Sequence, residues 1–124
     1  HSDADAVLHA LCDAIRGALA EGDIGQHFPN TDLRWRDCDS AVFVEQCMRI
    51  AEGRGYHVVN ADITVMAERP KLLPHVDAIR TRVAGLLGAP ANCIGFKATT
   101  MEEMGFIGRR EGLAAMATVL LELR

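Results

Sequence analysis

The sequence predicts an α/β or α+β sandwich, with helices packed on one face of a sheet. Three observations predict it: apolar residues at helical spacing in the first twenty residues, strict alternation from His57 to Met66, and a return to helical spacing after Pro74. At 124 residues the chain holds one domain's worth of core, without internal repeats or low-complexity stretches.

In the first helix, Ser2 with Asp5 three residues on forms a capping box ahead of Leu8, Leu11, Cys12, Ile15 and Leu19. Ser2, Asp3 and the free N–H groups sit at the positive end of this helix, which suits an anion such as phosphate. His9 falls on the second turn and His1 just outside the helix. The separation of the two histidines corresponds to roughly 12 Å of helical rise, so this helix offers a metal ion at most one ligand. Taken alone, a helical His is more often a hydrogen-bonded structural residue.

Glu21-Gly22-Asp23-Ile24-Gly25 reads as a turn, and Phe28-Pro29-Asn30-Thr31-Asp32 continues it as irregular structure. Arg34-Trp35-Arg36 fits an ordinary surface loop better than a base-stacking site. A second helix begins near Asp39 or Ser40, turns Val44, Cys47, Met48 and Ala51 inward, and ends at Gly53 or Gly55. The strand from His57 to Met66 places Val59, Ala61, Ile63 and Val65 on one side. After a loop from Ala67, a third helix starts at Pro74 with Val76, Ile79, Val83 and Leu86 inward, and Gly88 and Pro90 stop it.

A second strand runs from Asn92 to Ala98. Thr99-Thr100-Met101-Glu102-Glu103 reads as a capped helical turn offering hydroxyls and N–H groups to an anion, and Gly105 to Gly112 as a turn rich in glycine and charge. Leu113 to Leu123 fits either period, and its alanines and leucines lean it towards helix.

A net charge of −4 argues against a nucleic-acid partner held by bulk electrostatics. No run of about 18 apolar residues is present to span a membrane, and no signal peptide is visible in a chain that opens on His. Four cysteines without a C-x-x-C pair, with Cys12 and Cys47 on apolar helical faces, suggest reduced structural thiols and a cytosolic setting.

Six ordered motifs together resemble one family. They are His1-Ser2-Asp3-x-Asp5-x-x-x-His9, Gly22-Asp23-Ile24-Gly25, Phe28-Pro29-x-Thr31-Asp32, Pro70-Lys71-x-Leu73-Pro74, Lys97-Ala98-Thr99-Thr100-x-Glu102 and Gly105-Phe106-x-Gly108-Arg109-x-Glu111-Gly112. The chain resembles, over essentially its whole length, the 2-C-methyl-D-erythritol 2,4-cyclodiphosphate synthases of the non-mevalonate isoprenoid pathway. The resemblance implies an intramolecular attack of a 2-phosphate on the β-phosphorus of a cytidine diphosphate derivative, with CMP leaving.

By the same resemblance His9 matches a zinc ligand, Glu102 the carboxylate of a magnesium or manganese site, and His1 and Thr100 residues that steady developing charge, with Ser2 beside His1. Asp23, Ile24, Gly25, Phe28, Pro29, Asn30, Thr31 and Asp32 match the methylerythritol phosphate pocket. Ala67, Glu68, Arg69, Pro70, Lys71, Leu72, Leu73, Thr99, Thr100 and Met101 match the cytidine and diphosphate pocket. Each also has an ordinary role, with Asp23 as a turn residue, Lys71 as a loop cation, Thr99 as a cap and Glu102 as a surface acid.

The resemblance further implies a homotrimer, its mixed sheets facing the three-fold axis and its active sites between subunits, so that Leu113 to Leu123 becomes a strand. Phe106 and Arg109 match positions near a central cavity that accepts isoprenoid diphosphates, with an interchain Arg109–Glu111 salt bridge as the structural alternative. The family's Asp-x-His zinc ligands are absent from these 124 residues, so residues 1–124 are expected to be a single synthase domain that is N-terminally incomplete. A non-catalytic trimeric module binding cytidine nucleotide or isoprenoid diphosphate is the alternative function. The expected location is the bacterial cytoplasm, with the plastid as the alternative.

Overall fold

The computed structural model describes residues 2–21, 39–69 and 73–124, and of Ser2, Asp3 and Leu73 only the backbone. Helix α1 (Ser2–Leu19) buries Leu8, Leu11, Cys12, Ile15 and Leu19, the stripe its spacing predicts, and Val7 beside them. Helix α2 (Ser40–Gly53) opens on an extended Asp39 whose carboxylate accepts from the Ala41 N–H at 2.9 Å, satisfying one orphan donor of the first turn. Its inner face, Phe43, Val44, Cys47, Met48 and Ala51, interlocks with that of α1, where the Cys12 thiol lies 3.7 Å from the Phe43 carbonyl.

The sheet forms under these helices with β1 (Tyr56–Met66) at its centre. Strand β2 (Ile94–Thr99) pairs with it in parallel, Ala61 opposite Ile94 through Met66 opposite Thr99, and β3 (Ala114–Leu123) pairs antiparallel along its full length. The order β2-β1-β3 is therefore the mixed sheet expected. A parallel partner demands a crossover, supplied by a 3₁₀ turn (Leu73–His75), α3 (Val76–Leu87) and a second 3₁₀ turn (Ala91–Cys93). Gly88 ends α3 in the left-handed region at φ 67°, which costs a glycine nothing.

Several details differ from the sequence pattern. A bulge in β1 between Val58 and Asn60 shifts the alternation, so Val58 is buried with Ala61, Ile63 and Val65 while Val59 is only half-buried. In α3 the buried set is Val83, Ala84 and Leu87, with Ile79 and Leu86 packed at its margin. A 3₁₀ turn over Ala91–Cys93 delays β2 to Ile94. The segment from Gly105 to Gly112 is not all turn, since Gly105–Gly108 closes a short helix α4.

The last segment is a strand despite its helix-forming composition. Ala115, Ala117, Val119 and Leu121 pack towards the helix layer, and the ladder to β1 satisfies the backbone, so non-local pairing overrides local propensity. Its alternate residues face away from the helices. Met116 and Leu120 are 66% and 54% exposed there, on the same open face as the Asp62–Lys97 ion pair.

Candidate functional site

His9 sits exposed on α1, one turn beyond Asp5. Both side chains meet Ser40, the first residue of α2: Ser40 Oγ donates to Asp5 Oδ1 at 2.9 Å and lies 3.1 Å from His9 Nε2. Ser40 is only 5% exposed, so this link is built into the α1–α2 junction. The Phe43 ring, its centroid 5.9 Å from that of His9 and tilted by 51°, flanks the imidazole from the next turn of α2. Below this surface Cys12 and Cys47 are buried. Hydrogen bonding between them, then burial, pushes the Cys12 thiol far up, whereas the same bond lowers Cys47. They behave as the structural thiols expected of apolar helix faces.

A second cluster stands where β2 ends. The expected capped helical turn at Thr99–Glu103 is instead a reversal in which Glu102 and Glu103 adopt φ 53° and 64°. No helix can form through two consecutive left-handed residues. The Glu68 carboxylate, from the loop after β1, fills the N–H groups of this turn, accepting from Met101 at 2.7 Å and from Glu103 at 3.1 Å. The anion the turn holds is thus the chain's own Glu68. Thr100 Oγ1 accepts from the Glu102 N–H at 3.3 Å, and Thr99 Oγ1 donates to the Thr100 carbonyl at 3.2 Å. The Glu102 carboxylate makes no hydrogen bond or ion pair among the described residues.

Next to this turn, Phe106 is 53% exposed. The Arg109–Glu111 salt bridge, the structural alternative to an isoprenoid diphosphate site, forms within this chain, Nε to Oε2 at 2.8 Å, because two residues of separation in a turn bring both to one side. His1, Asp23, Ile24, Gly25, Phe28, Pro29, Asn30, Thr31, Asp32, Pro70, Lys71 and Leu72 lie outside the described residues, as do the Arg34-Trp35-Arg36 loop and Cys38. Ala67 continues the ladder past β1, its N–H donating to the Thr99 carbonyl at 3.0 Å, and so ties the 67–69 segment to the Thr99–Glu102 turn.

Ser40 is the site residue that the sequence pattern missed. The i, i+4 placement of Asp5 and His9 on one face was a usable signal that the two share a partner. Nothing local indicated that the partner would be 31 residues away. Among the described residues no three His, Cys, Asp or Glu side chains converge as a metal site. Among the described residues no hydrogen bond links the His9–Ser40–Asp5 group to the Thr100–Glu102 turn.

These features define a class: an α+β protein with helices on one face of a mixed sheet, an oriented imidazole on the helix layer, and a hydroxyl and carboxylate turn at a strand end. The chain belongs to the YgbB family, whose profile matches residues 1–122. It is 59% identical over 121 residues, 98% of this chain and 74% of the relative, to the 2-C-methyl-D-erythritol 2,4-cyclodiphosphate synthase of Xanthomonas oryzae pv. oryzae strain PXO99A. Its fold superposes on the bifunctional IspDF from Campylobacter jejuni with a TM-score of 0.91 at 38% identity, over 96% of this chain and 32% of that one. It matches Plasmodium falciparum IspF, solved as a CDP complex, with a TM-score of 0.85 at 28% identity, over 96% and 71% of the respective chains. The chain is an enzyme, a lyase of isoprenoid biosynthesis, as the resemblance implied. No helix among the described residues is long and apolar enough to cross a membrane.

Proposed function

We propose that this chain converts 4-diphosphocytidyl-2-C-methyl-D-erythritol 2-phosphate to 2-C-methyl-D-erythritol 2,4-cyclodiphosphate and CMP. An oxygen of the 2-phosphate forms a bond to the β-phosphorus, the bond from that phosphorus to the bridging oxygen breaks, and CMP leaves with the bridging oxygen and its electron pair. The observation that carries this reading is the identity to the Xanthomonas synthase over 98% of the chain, coinciding with the oriented His9 and the shaped Thr100–Glu102 turn. Bringing two anionic groups together and stabilising the leaving phosphate is work for positioned donors and cations.

His9 fits as one ligand of a zinc-like ion, since among the described residues its Nδ1 has no hydrogen-bond partner while Nε2 is tied to Ser40. Among the described residues no group of three His, Cys, Asp or Glu side chains surrounds such an ion. The Glu102 carboxylate, without a hydrogen bond or ion pair among the described residues, fits a magnesium or manganese ion, a hard cation that takes oxygen donors. Bound divalent metals neutralise the two phosphates and polarise the reacting phosphorus. Thr100 offers its hydroxyl to the diphosphate, and Ala67, Glu68 and Arg69, with Pro70 to Leu73, shape the cytidine side. His1, Ser2 and the Asp23–Asp32 loop take the methylerythritol phosphate.

The active enzyme is a homotrimer in this reading, with His9 from one subunit and Thr100 from its neighbour forming each site. The uncovered sheet face supports it, because Met116 and Leu120 on a three-stranded sheet are apolar surface that a second copy would bury. An isoprenoid diphosphate near Phe106 would have to displace Glu111 from Arg109. The domain is a single one, and its bacterial relatives support a cytoplasmic setting. Incubation of zinc-replete trimer with substrate and magnesium, followed by phosphorus NMR, is expected to show CMP and cyclic product in equal amounts. A preparation of that kind yielding no CMP would refute the reading.

A further inference from the structure

The Asp5–Ser40–His9 link fixes more than the position of a side chain. A serine hydroxyl has one proton, and Ser40 directs it to Asp5 Oδ1, 2.9 Å away. The same oxygen lies 3.1 Å from His9 Nε2, so that contact must run the other way, with Nε2–H donating and Ser40 accepting. A neutral imidazole protonated at Nε2 carries its lone pair on Nδ1, the ring nitrogen that has no hydrogen-bond partner among the described residues. The packing of the junction favours this arrangement: Ser40 is buried, its backbone follows the Asp39 cap, and Phe43 flanks the ring.

We propose that Ser40 and Asp5 are positioning residues that hold His9 as the Nε2–H tautomer and thereby reserve Nδ1 as the metal-binding nitrogen. The proposal rests on the reading of His9 as a metal ligand. It assigns roles to two residues that never touch the metal, and the hydrogen-bond direction makes their loss distinguishable. In Asp5→Ala the Ser40 proton loses its acceptor and can turn to His9 Nε2, which moves the imidazole proton to Nδ1, the wrong tautomer. In Ser40→Ala the imidazole is simply released. In Asp5→Asn the side-chain carbonyl still accepts from Ser40, so the orientation survives.

The test reads the His9 tautomer by nitrogen-15 NMR on the metal-free protein, and zinc affinity by chelator competition. Wild type and Asp5→Asn are expected to show Nε2–H and similar affinity. Asp5→Ala is expected to show the Nδ1–H form, Ser40→Ala a mixture, and both a zinc affinity lower by about 10-fold to 100-fold, the usual effect of losing a hydrogen-bond partner behind a ligand. A wild-type imidazole protonated at Nδ1, or Ser40→Ala with unchanged tautomer and zinc affinity, overturns the proposal, and the second result needs only one folded variant. His9→Ala separates the two levels of the argument: undiminished zinc binding there would overturn the metal-ligand reading while the tautomer measurement still judges the hydrogen-bond network.

Discussion

Replacing Glu68 by Ala is expected to weaken cytidine diphosphate binding about tenfold, although Glu68 is here assigned to holding a turn rather than to holding the ligand. Its carboxylate accepts from the N–H groups of Met101 and Glu103 at 2.7 and 3.1 Å, across 33 and 35 residues of chain. Between those two bonds Glu102 stands at φ 53°, followed by Glu103 at φ 64°. Left-handed geometry costs a residue other than glycine roughly 1–2 kcal/mol, so the turn stores about 2–4 kcal/mol. Hydrogen bonds to a charged group contribute about 1.5–3 kcal/mol each, and towards the lower end at a solvent-exposed site such as this. Anchor and strain therefore nearly balance, and removal of the anchor lets the turn relax. If one molecule in ten then keeps Thr100 and Glu102 in place, the apparent Kd rises tenfold, equivalent to about 1.4 kcal/mol.

Calorimetric titration with CDP measures this directly. Glu68→Gln, which keeps one acceptor oxygen, is expected to fall between wild type and Glu68→Ala. Adding Glu103→Gly to Glu68→Ala is expected to recover part of the loss, since glycine adopts positive φ without strain. Wild-type affinity in Glu68→Ala, or no recovery in the double variant, would refute the strain argument.

Three further outcomes follow from the packing. A methyl group at Gly108 would collide with the backbone of Glu103, so Gly108→Ala is expected to dislodge the Thr100–Glu103 turn and abolish CDP binding, while the helix content seen by circular dichroism stays. Ile63 is fully buried at the centre of β1, and Ile63→Ala is expected to cost about 2–5 kcal/mol in denaturant unfolding, with less than 1 kcal/mol signalling a repacked core. Leu120→Asp puts a charge on the open sheet face and, in the proposed trimer, is expected to shift the molar mass in light scattering from trimer to monomer; an unchanged mass would show that this face is not the subunit interface.

How much of this was readable in advance depends on the range of the forces involved. Helices α1 and α2 follow from the spacing of Leu11, Cys12, Ile15 and of Val44, Cys47, Met48, because an amphipathic stripe has one stable way to lie on a core. The Asp39 cap and the stop at Gly88 are equally local. The motif order was enough to indicate the family, since spaced polar residues survive in sequence whatever the fold does with them.

Read alone, the residue pattern was enough for helices α1, α2 and α3, the central strand and the kind of chemistry, but not for the short helix at Gly105–Gly108. Whatever depends on residues distant in the chain was settled by the fold. It made Ala114–Leu123 a strand by supplying β1 as a partner, and it moved burial from Val59 to Val58 through a bulge that only the β1–β3 pairing reveals. It also filled the turn at Met101 with Glu68 and set Ser40 between Asp5 and His9. Propensity and periodicity report what a segment prefers within a turn or two of itself. Hydrogen-bond direction and backbone strain are fixed by what arrives from 30 residues away, and only the folded chain brings those groups together.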